Sequence, residues 1–224
     1  MKIFKNSLIC VWCAVVTMGV LGAEPTAAEI LAGCRAMLPT RPVELTGAIV
    51  LRNRKGIVKS EYDYTLTLDR SAKPAKATVV IRTRGETNVL KQVTLTRPGK
   101  LPEGQVMDTD VSWLDLSLDY LWWRNPRFET EREGESVHGQ KCMVILVDPP
   151  DAASGLGNMR LWTEKKNGYL MQAEQMDASG KPVRRLWGTR VKKFGNRWMA
   201  NVLETETLGS GRRTKITVES VREL

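Results

Sequence analysis

Apolar and polar residues alternate through most of this chain. Val43, Leu45, Gly47, Ile49 and Leu51 interleave with Glu44, Thr46, Ala48, Val50 and Arg52. Tyr62, Tyr64, Leu66 and Leu68 interleave with Glu61, Asp63, Thr65, Thr67 and Asp69, and Ala77, Val79 and Ile81 with Lys76, Thr78 and Arg82. A period of two marks a strand with one buried and one wet face. Turn residues at 53–56, 71–74 and 85–86 join these runs, so neighbours in sequence should pair as antiparallel hairpins. The same pattern predicts strands over 87–96, 128–137, 142–147, 159–164, 169–177, 183–193, 198–207 and 214–221, with turns at 138–139, 166–168, 178–180, 195–196 and 209–211. Residues 142–147 are apolar on both faces, which predicts a strand covered on both sides. The fold class expected is mainly β, with about eleven strands in one antiparallel sheet. A sheet that wide must curl or close to manage its edges.

Two stretches break the alternation. Thr26 and Glu29 form a capping box, and Ile30, Leu31, Cys34, Met37 and Leu38 follow at helical spacing until Pro39 and Pro42 stop the helix. Residues 110–123 are denser in apolar side chains: Trp113, Leu114, Leu116, Leu118, Tyr120, Leu121, Trp122 and Trp123. Trp113, Leu116, Tyr120 and Trp123 share one helical face, while Leu114, Leu116, Leu118 and Tyr120 also alternate as a strand would. The cap formed by Ser112 and Asp115, with Asn125-Pro126 beyond, favours a short helix. Such an insert is either a plug that fills the concave face of the sheet or the lid of an apolar cavity.

Composition adds an address. The chain has 224 residues, 42% hydrophobic and 26% charged, with no composition break or convincing repeat. Residues 24–224 are therefore expected to form one domain. Residues 1–23 have the form of a secretory signal peptide: Lys2 and Lys5, an uncharged apolar run over 8–21, then Gly22-Ala23. The run is about fourteen residues, short for a transmembrane helix. Export is expected, to the periplasm in a Gram-negative cell. Leu31-Ala32-Gly33-Cys34 has the form of a lipobox, but Glu24 and Glu29 separate it from the apolar run.

The formal charge is +9, or +7 without Lys2 and Lys5. The basic residues are dispersed in pairs such as Arg184-Arg185, Lys192-Lys193 and Arg212-Arg213. They read as a solvated surface, and export argues against a nucleic-acid partner. Cys10 and Cys13 fall in the leader. Cys34 and Cys142 remain, either bridged across a long loop or as two separate buried thiols.

Candidate chemistry is sparse. His138 is the only histidine and sits in a turn, so neither a His-dependent triad nor a multi-histidine metal site is expected. No glycine-rich phosphate loop occurs. Asp115 and Asp119, four apart, read as the solvated face of the second helix rather than as an acid–base pair. Glu129, Glu131, Glu133 and Glu135 read as the wet face of a strand. Neither catalysis, a metal nor a cofactor is expected, and a carboxylate-dependent hydrolase is the least favoured class.

Several segments together resemble the outer-membrane lipoprotein-sorting proteins, the LolA-like periplasmic carriers. They are residues 28–31, 110–116, 137–145, 159–164, 176–186 and 212–218, in that order, and the similarity covers nearly all of the mature chain. The resemblance implies an unclosed, strongly curved β-barrel whose short helices cover a hydrophobic cavity. It implies a monomeric carrier of lipoprotein acyl chains or lipid, with inner- and outer-membrane sorting proteins as partners. Candidate cavity residues are Leu45, Ile49, Tyr62, Tyr64, Leu66, Val79 and Ile81 from the strands. Trp113, Leu116 and Trp123 join them from the insert, and Ile30 and Leu31 from the first helix. Whether these line a cavity or fill a core stays open at this point. The competing class is a periplasmic sensor that binds lipid or lipoprotein and signals to a membrane partner.

Overall fold

The computed structural model describes residues 24–150 and 156–224. The signal-peptide segment lies outside the described residues. Two antiparallel meanders are joined edge to edge. The first comprises β1 (Val43–Asn53), β2 (Val58–Asp69), β3 (Ala75–Thr83) and β4 (Val89–Arg97). The second comprises β5 (Arg124–Phe128), β6 (Ser136–Val137), β7 (Gln140–Asp148), β8 (Met159–Glu164), β9 (Leu170–Met176), β10 (Pro182–Phe194), β11 (Arg197–Thr207) and β12 (Arg212–Glu223). The order across the sheet is β4-β3-β2-β1-β12-β11-β10-β9-β8-β7-β5, with the short β6 paired to β7. The outer strands β4 and β5 do not pair, so the sheet is not closed into a barrel.

The seam between the meanders is β1 against β12, in register from Val43 with Glu223 to Asn53 with Arg212. A register shift falls at Thr46/Gly47. There a Cβ on Gly47 would lie 1.8 Å from the Thr217 carbonyl oxygen, so only glycine allows the two backbones to meet.

This topology determines where the insert goes. The chain leaves the sheet at one free edge, Arg97, and returns at the opposite free edge, Arg124. Residues 98–123 must therefore cross from one edge to the other as a strap. The strap holds α2 (Trp113–Ser117) and a 3-10 turn, Asp119–Trp122. The N-terminal α1 (Ala27–Ala36) packs beside it and carries the Thr26/Glu29 capping box that the sequence predicts.

The strap divides the interior into two apolar clusters. Val106, Val111, Trp113 and Leu116 pack with the inward residues of β1–β4, Leu186, Ile216 and Val218. Leu114, Tyr120, Leu121 and Trp123 pack with α1 and with Ile145, Val147, Met159, Leu161 and Ala173. A third, smaller cluster of Val137, Cys142, Val144 and Trp162 lies apart from these. β7 is thus covered on both sides, as its continuous apolar run predicts.

Three expectations are corrected. The strand predicted over 128–137 is instead β5, a 3-10 turn at Thr130–Arg132 and the two-residue β6. Glu129 and Glu135 there are partners rather than a wet face: Glu129 pairs with Arg160, and Glu135 accepts from Arg132 at 2.7 Å and from Trp162 Nε1 at 2.8 Å. Asn125-Pro126 does not end a helix but lies inside β5. The helix predicted for the insert forms, but it stops at Leu118, which takes a left-handed conformation with φ 55°.

The two cysteines are separate thiols. Cys34 sits in the cluster around α1 and donates to the Gly168 carbonyl at 3.0 Å, while Cys142 sits in the small third cluster. Burial pushes the Cys34 thiol up to about 11.

Candidate functional site: the strap across the sheet

The strap is held by four kinds of contact, taken from β4 onward. Residues 105–112 close a small loop through the Gln105/Ser112 bridge and the Val106 N–H to Val111 carbonyl bond, 2.7 Å. Its tip docks on the first meander: Asp108 accepts from the Ser60 hydroxyl at 2.5 Å and from the Tyr62 hydroxyl at 2.7 Å. Burial raises the Asp108 carboxyl, but the two hydroxyl bonds and Arg212 outweigh it and hold the group below its usual range.

Asp110 then locks the loop to β11 and β12. It is fully buried, and Thr214 both accepts from its N–H at 2.9 Å and donates to its carboxylate at 3.2 Å. Arg212 reaches the other carboxylate oxygen at 3.3 Å, and Thr205 donates to the Asp110 carbonyl at 3.3 Å. A buried carboxylate is tolerated when it is paired and hydrogen-bonded in this way.

The third contact is a buried ion pair. Asp115, at the first turn of α2, meets Arg184 of β10, with side-chain exposures of 1% and 7%. The same Asp115 oxygen caps the helix by accepting the Ser112 N–H at 2.8 Å. Arg184 also donates to Gln175 Oε1 from two nitrogens, at 3.2 and 3.1 Å. The solvated-face reading of Asp115 and Asp119 is therefore overturned: Asp115 is buried, and Asp119 is half-buried beside Arg97 at 3.8 Å. Burial raises the Asp119 carboxyl, with Arg97 opposing. The i, i+4 rule fails because α2 ends between the two residues.

The fourth contact is apolar. Trp113, Tyr120 and Trp123 are buried, and Trp122 is half-buried at the rim under Arg97. The segment is thus packed into the concave face as a plug is, with Trp122 left half-buried at the rim. Of the residues proposed for a cavity, Leu45, Ile49, Tyr64, Leu66, Val79, Ile81, Trp113 and Leu116 fall in one cluster, with half-buried Tyr62 against it. Ile30, Leu31 and Trp123 fall in the other. In this state they are packed against each other through the strap.

The packing carries an internal cost. Trp113 Nε1, Asp115 Oδ1 and the Tyr120 hydroxyl are buried with no hydrogen-bond partner among the described residues. Each such atom costs about 1–3 kcal/mol. Met107 and Leu118 add left-handed backbone at φ 56° and 55°, a conformation that costs a side-chain-bearing residue about 1–2 kcal/mol. All five features lie in the strap. Of the polar set, Arg184 and Arg212 read from sequence as solvated surface, whereas Arg184 is buried against Asp115 and Arg212 pairs with Asp110; Asp108 and Asp110 are not singled out by sequence. The set's one visible signal is an arginine at an inward position of β10, where alternation calls for an apolar residue.

No group of three or more His, Cys, Asp or Glu side chains suited to a metal occurs among the described residues. His138 is exposed in its turn. No helix among the described residues is long and apolar enough to cross a membrane.

A family model described as an uncharacterized protein matches residues 90–223. The chain belongs to that family. No curated protein matches the sequence. Among solved structures, a DUF1329 family protein from Desulfovibrio piger matches with TM-score 0.66 at 14% identity, over 88% of this chain and 91% of that one. A domain from Vibrio parahaemolyticus assigned to outer membrane lipoprotein sorting matches with TM-score 0.66 at 15% identity, over 88% and 91%. A LolA superfamily protein from Nitrosomonas europaea matches with TM-score 0.65 at 15% identity, over 89% and 95%. At these identities the likeness establishes the fold: the chain has the LolA-like half-barrel that its sequence resembles.

Proposed function

We propose that this protein is a periplasmic carrier that holds acyl chains of lipoproteins or lipid on the concave face of its sheet, in outer-membrane lipoprotein sorting. The observation that carries the reading is the strap. It seats apolar side chains on an apolar concave face, yet it also buries three unpartnered polar atoms and holds two half-buried residues in left-handed backbone. An acyl chain has no polar atoms to leave unpaired, and each methylene it buries contributes roughly 0.8 kcal/mol. Cargo entering the interior would displace the strap and relieve those costs. Release to an acceptor needs the reverse, a strap stable enough to reclaim the site. The proposed role is binding rather than catalysis.

The packed interior also favours a second reading, an interaction module that senses a lipid or lipoprotein and signals to a membrane partner. The two are separated by purifying the protein from a Gram-negative periplasm and extracting it for lipid mass spectrometry. Stoichiometric acyl lipid, lost in L116D while the fold persists, is the carrier result. Acyl-free protein that binds no soluble acylated peptide in titration sinks the carrier reading.

A further inference from the structure

The rim where the strap leaves β4 holds a concentration of cations with few anions to match. Arg97, the last residue of β4, lays its guanidinium over the Trp122 ring, 3.2 Å from the centroid. Arg70, from the turn between β2 and β3, approaches the same ring at 5.1 Å. Arg35 of α1 comes in from the third side and donates to the Leu121 carbonyl at 2.7 Å.

Asp119 is the single carboxylate in this group, 3.8 Å from Arg97. No carboxylate among the described residues lies within 4.0 Å of the Arg70 guanidinium. Burial first, and then the neighbouring Arg97, pull Arg70 down to about 10, with the Asp119 carboxylate opposing them. Arg97 is likewise lowered, by burial first, with Asp119 opposing and Arg35 adding to the repulsion.

Arg70, Lys76, Arg97, Ser117 and Asp119 line a small cleft of about 20 Å³ that opens to solvent, and Leu68, Ala77 and Leu95 form its apolar wall. Leu95 and Ala77 belong to the apolar cluster of the concave face. Arg97 and Arg70 both approach the one indole and repel each other, with Asp119 as the carboxylate that offsets them. Their planar forks match the paired oxygens of a phosphate, and the indole beneath holds them in place by cation–π contact.

We propose that Arg70 and Arg97, seated on Trp122, form a phosphate-binding site at the rim of the concave face. The phosphate comes either from free solution or from a lipid headgroup whose chains run past Leu95 into the interior. The headgroup source rests on the carrier reading; the site itself does not.

The test is calorimetric titration with inorganic phosphate, then with dihexanoyl phosphatidylglycerol and dihexanoyl phosphatidylcholine below their micellar concentrations. The proteins compared are the wild type, R70Q, R70Q/R97Q and R70K/R97K, each checked for an unchanged circular dichroism spectrum. The expected result is phosphate binding that falls at least about tenfold in R70Q/R97Q, the scale of losing charge-assisted hydrogen bonds. R70K/R97K, which keeps the charge but not the fork, should fall between. R70Q, altered only in an interstrand turn, carries the test if the double variant does not fold. A matching preference for phosphatidylglycerol over phosphatidylcholine, lost in the same variants, identifies the headgroup. Inorganic phosphate binding with no lipid binding leaves the site standing, with free phosphate as its ligand, and removes the headgroup source. Absent phosphate binding, or equal binding in wild type and the glutamine variants, overturns the proposal.

Discussion

Replacing Arg184 by methionine tests whether the strap is clasped from within. The substitution keeps an unbranched stem of similar reach and removes the charge. Asp115, whose side chain is 1% exposed, then keeps only the Ser112 N–H as a partner. Breaking one side of a buried ion pair costs about 3–5 kcal/mol. Gln175 also loses two donors, which adds about 1 kcal/mol. The double variant R184M/D115L removes both charges. It should recover most of the loss, because paired apolar replacements of buried ion pairs are often neutral or stabilising. What remains is the lost helix cap, about 0.5–2 kcal/mol.

Urea titration followed by tryptophan fluorescence measures all four corners of the cycle. The expected coupling is about 2–4 kcal/mol. Hydrogen exchange locates it: amides of residues 106–121 should lose more protection in R184M than amides in the β1/β12 seam. Under the carrier reading, the loosened strap also raises acyl affinity, because the open form becomes more populated. A single variant that costs less than about 1 kcal/mol, or a double variant as costly as the single, refutes the clasp.

Three further outcomes are expected. D108N should destabilise at pH 7 and by less at pH 3. The Asp108 carboxyl is held below its usual range, so its contribution is full above the unfolded value near about 4 and is lost as pH falls through the folded one, which urea titrations at both pH values will show. G47A should destabilise by about 2 kcal/mol or more, because its Cβ meets the Thr217 carbonyl and must push the seam apart, read as a lowered Tm. Cys34 should resist iodoacetamide at pH 8 in the folded protein and react in guanidinium, since burial places the thiol at about 11; mass spectrometry of the Cys34 peptide reads this directly.

The strands with one wet face are legible because alternation records burial directly: Tyr64, Leu66, Val79 and Ile81 point inward as their spacing requires. The first helix is legible from its capping box. Residues 128–137 mislead because the alternating glutamates are spaced by a 3-10 turn and by partners on β8, an ion pair from Arg160 to Glu129 and a hydrogen bond from Trp162 to Glu135, rather than by a pleat. Leu118 misleads in another way: its left-handed conformation is imposed by packing, where local chemistry would place glycine. The strap's crossing was hidden for a topological reason. Nothing local says that β12 pairs with β1, and only that pairing makes β4 and β5 opposite edges. Asp110 and Arg184 carry meaning only once that geometry brings them to their partners.

Under the carrier reading, the same topology argues that the strap, rather than the sheet, is the part that would move. Opening the half-barrel at the seam would break a ladder that runs the full length of β1 and β12. Lifting the strap breaks no such ladder, because its backbone bonds are largely internal, as in the Val106–Val111 and Leu118–Leu114 pairs. Its ties to the sheet are side-chain bonds at Gln105, Asp108, Asp110, Asp115 and Asp119, plus apolar contact. Side-chain ties break one at a time, and apolar contact can be exchanged for contact with a ligand of like chemistry. The strap's two ends stay covalently fixed to opposite edges, so displacement must bow its middle outward. That middle is residues 105–121, where the unpartnered polar atoms and left-handed residues are concentrated.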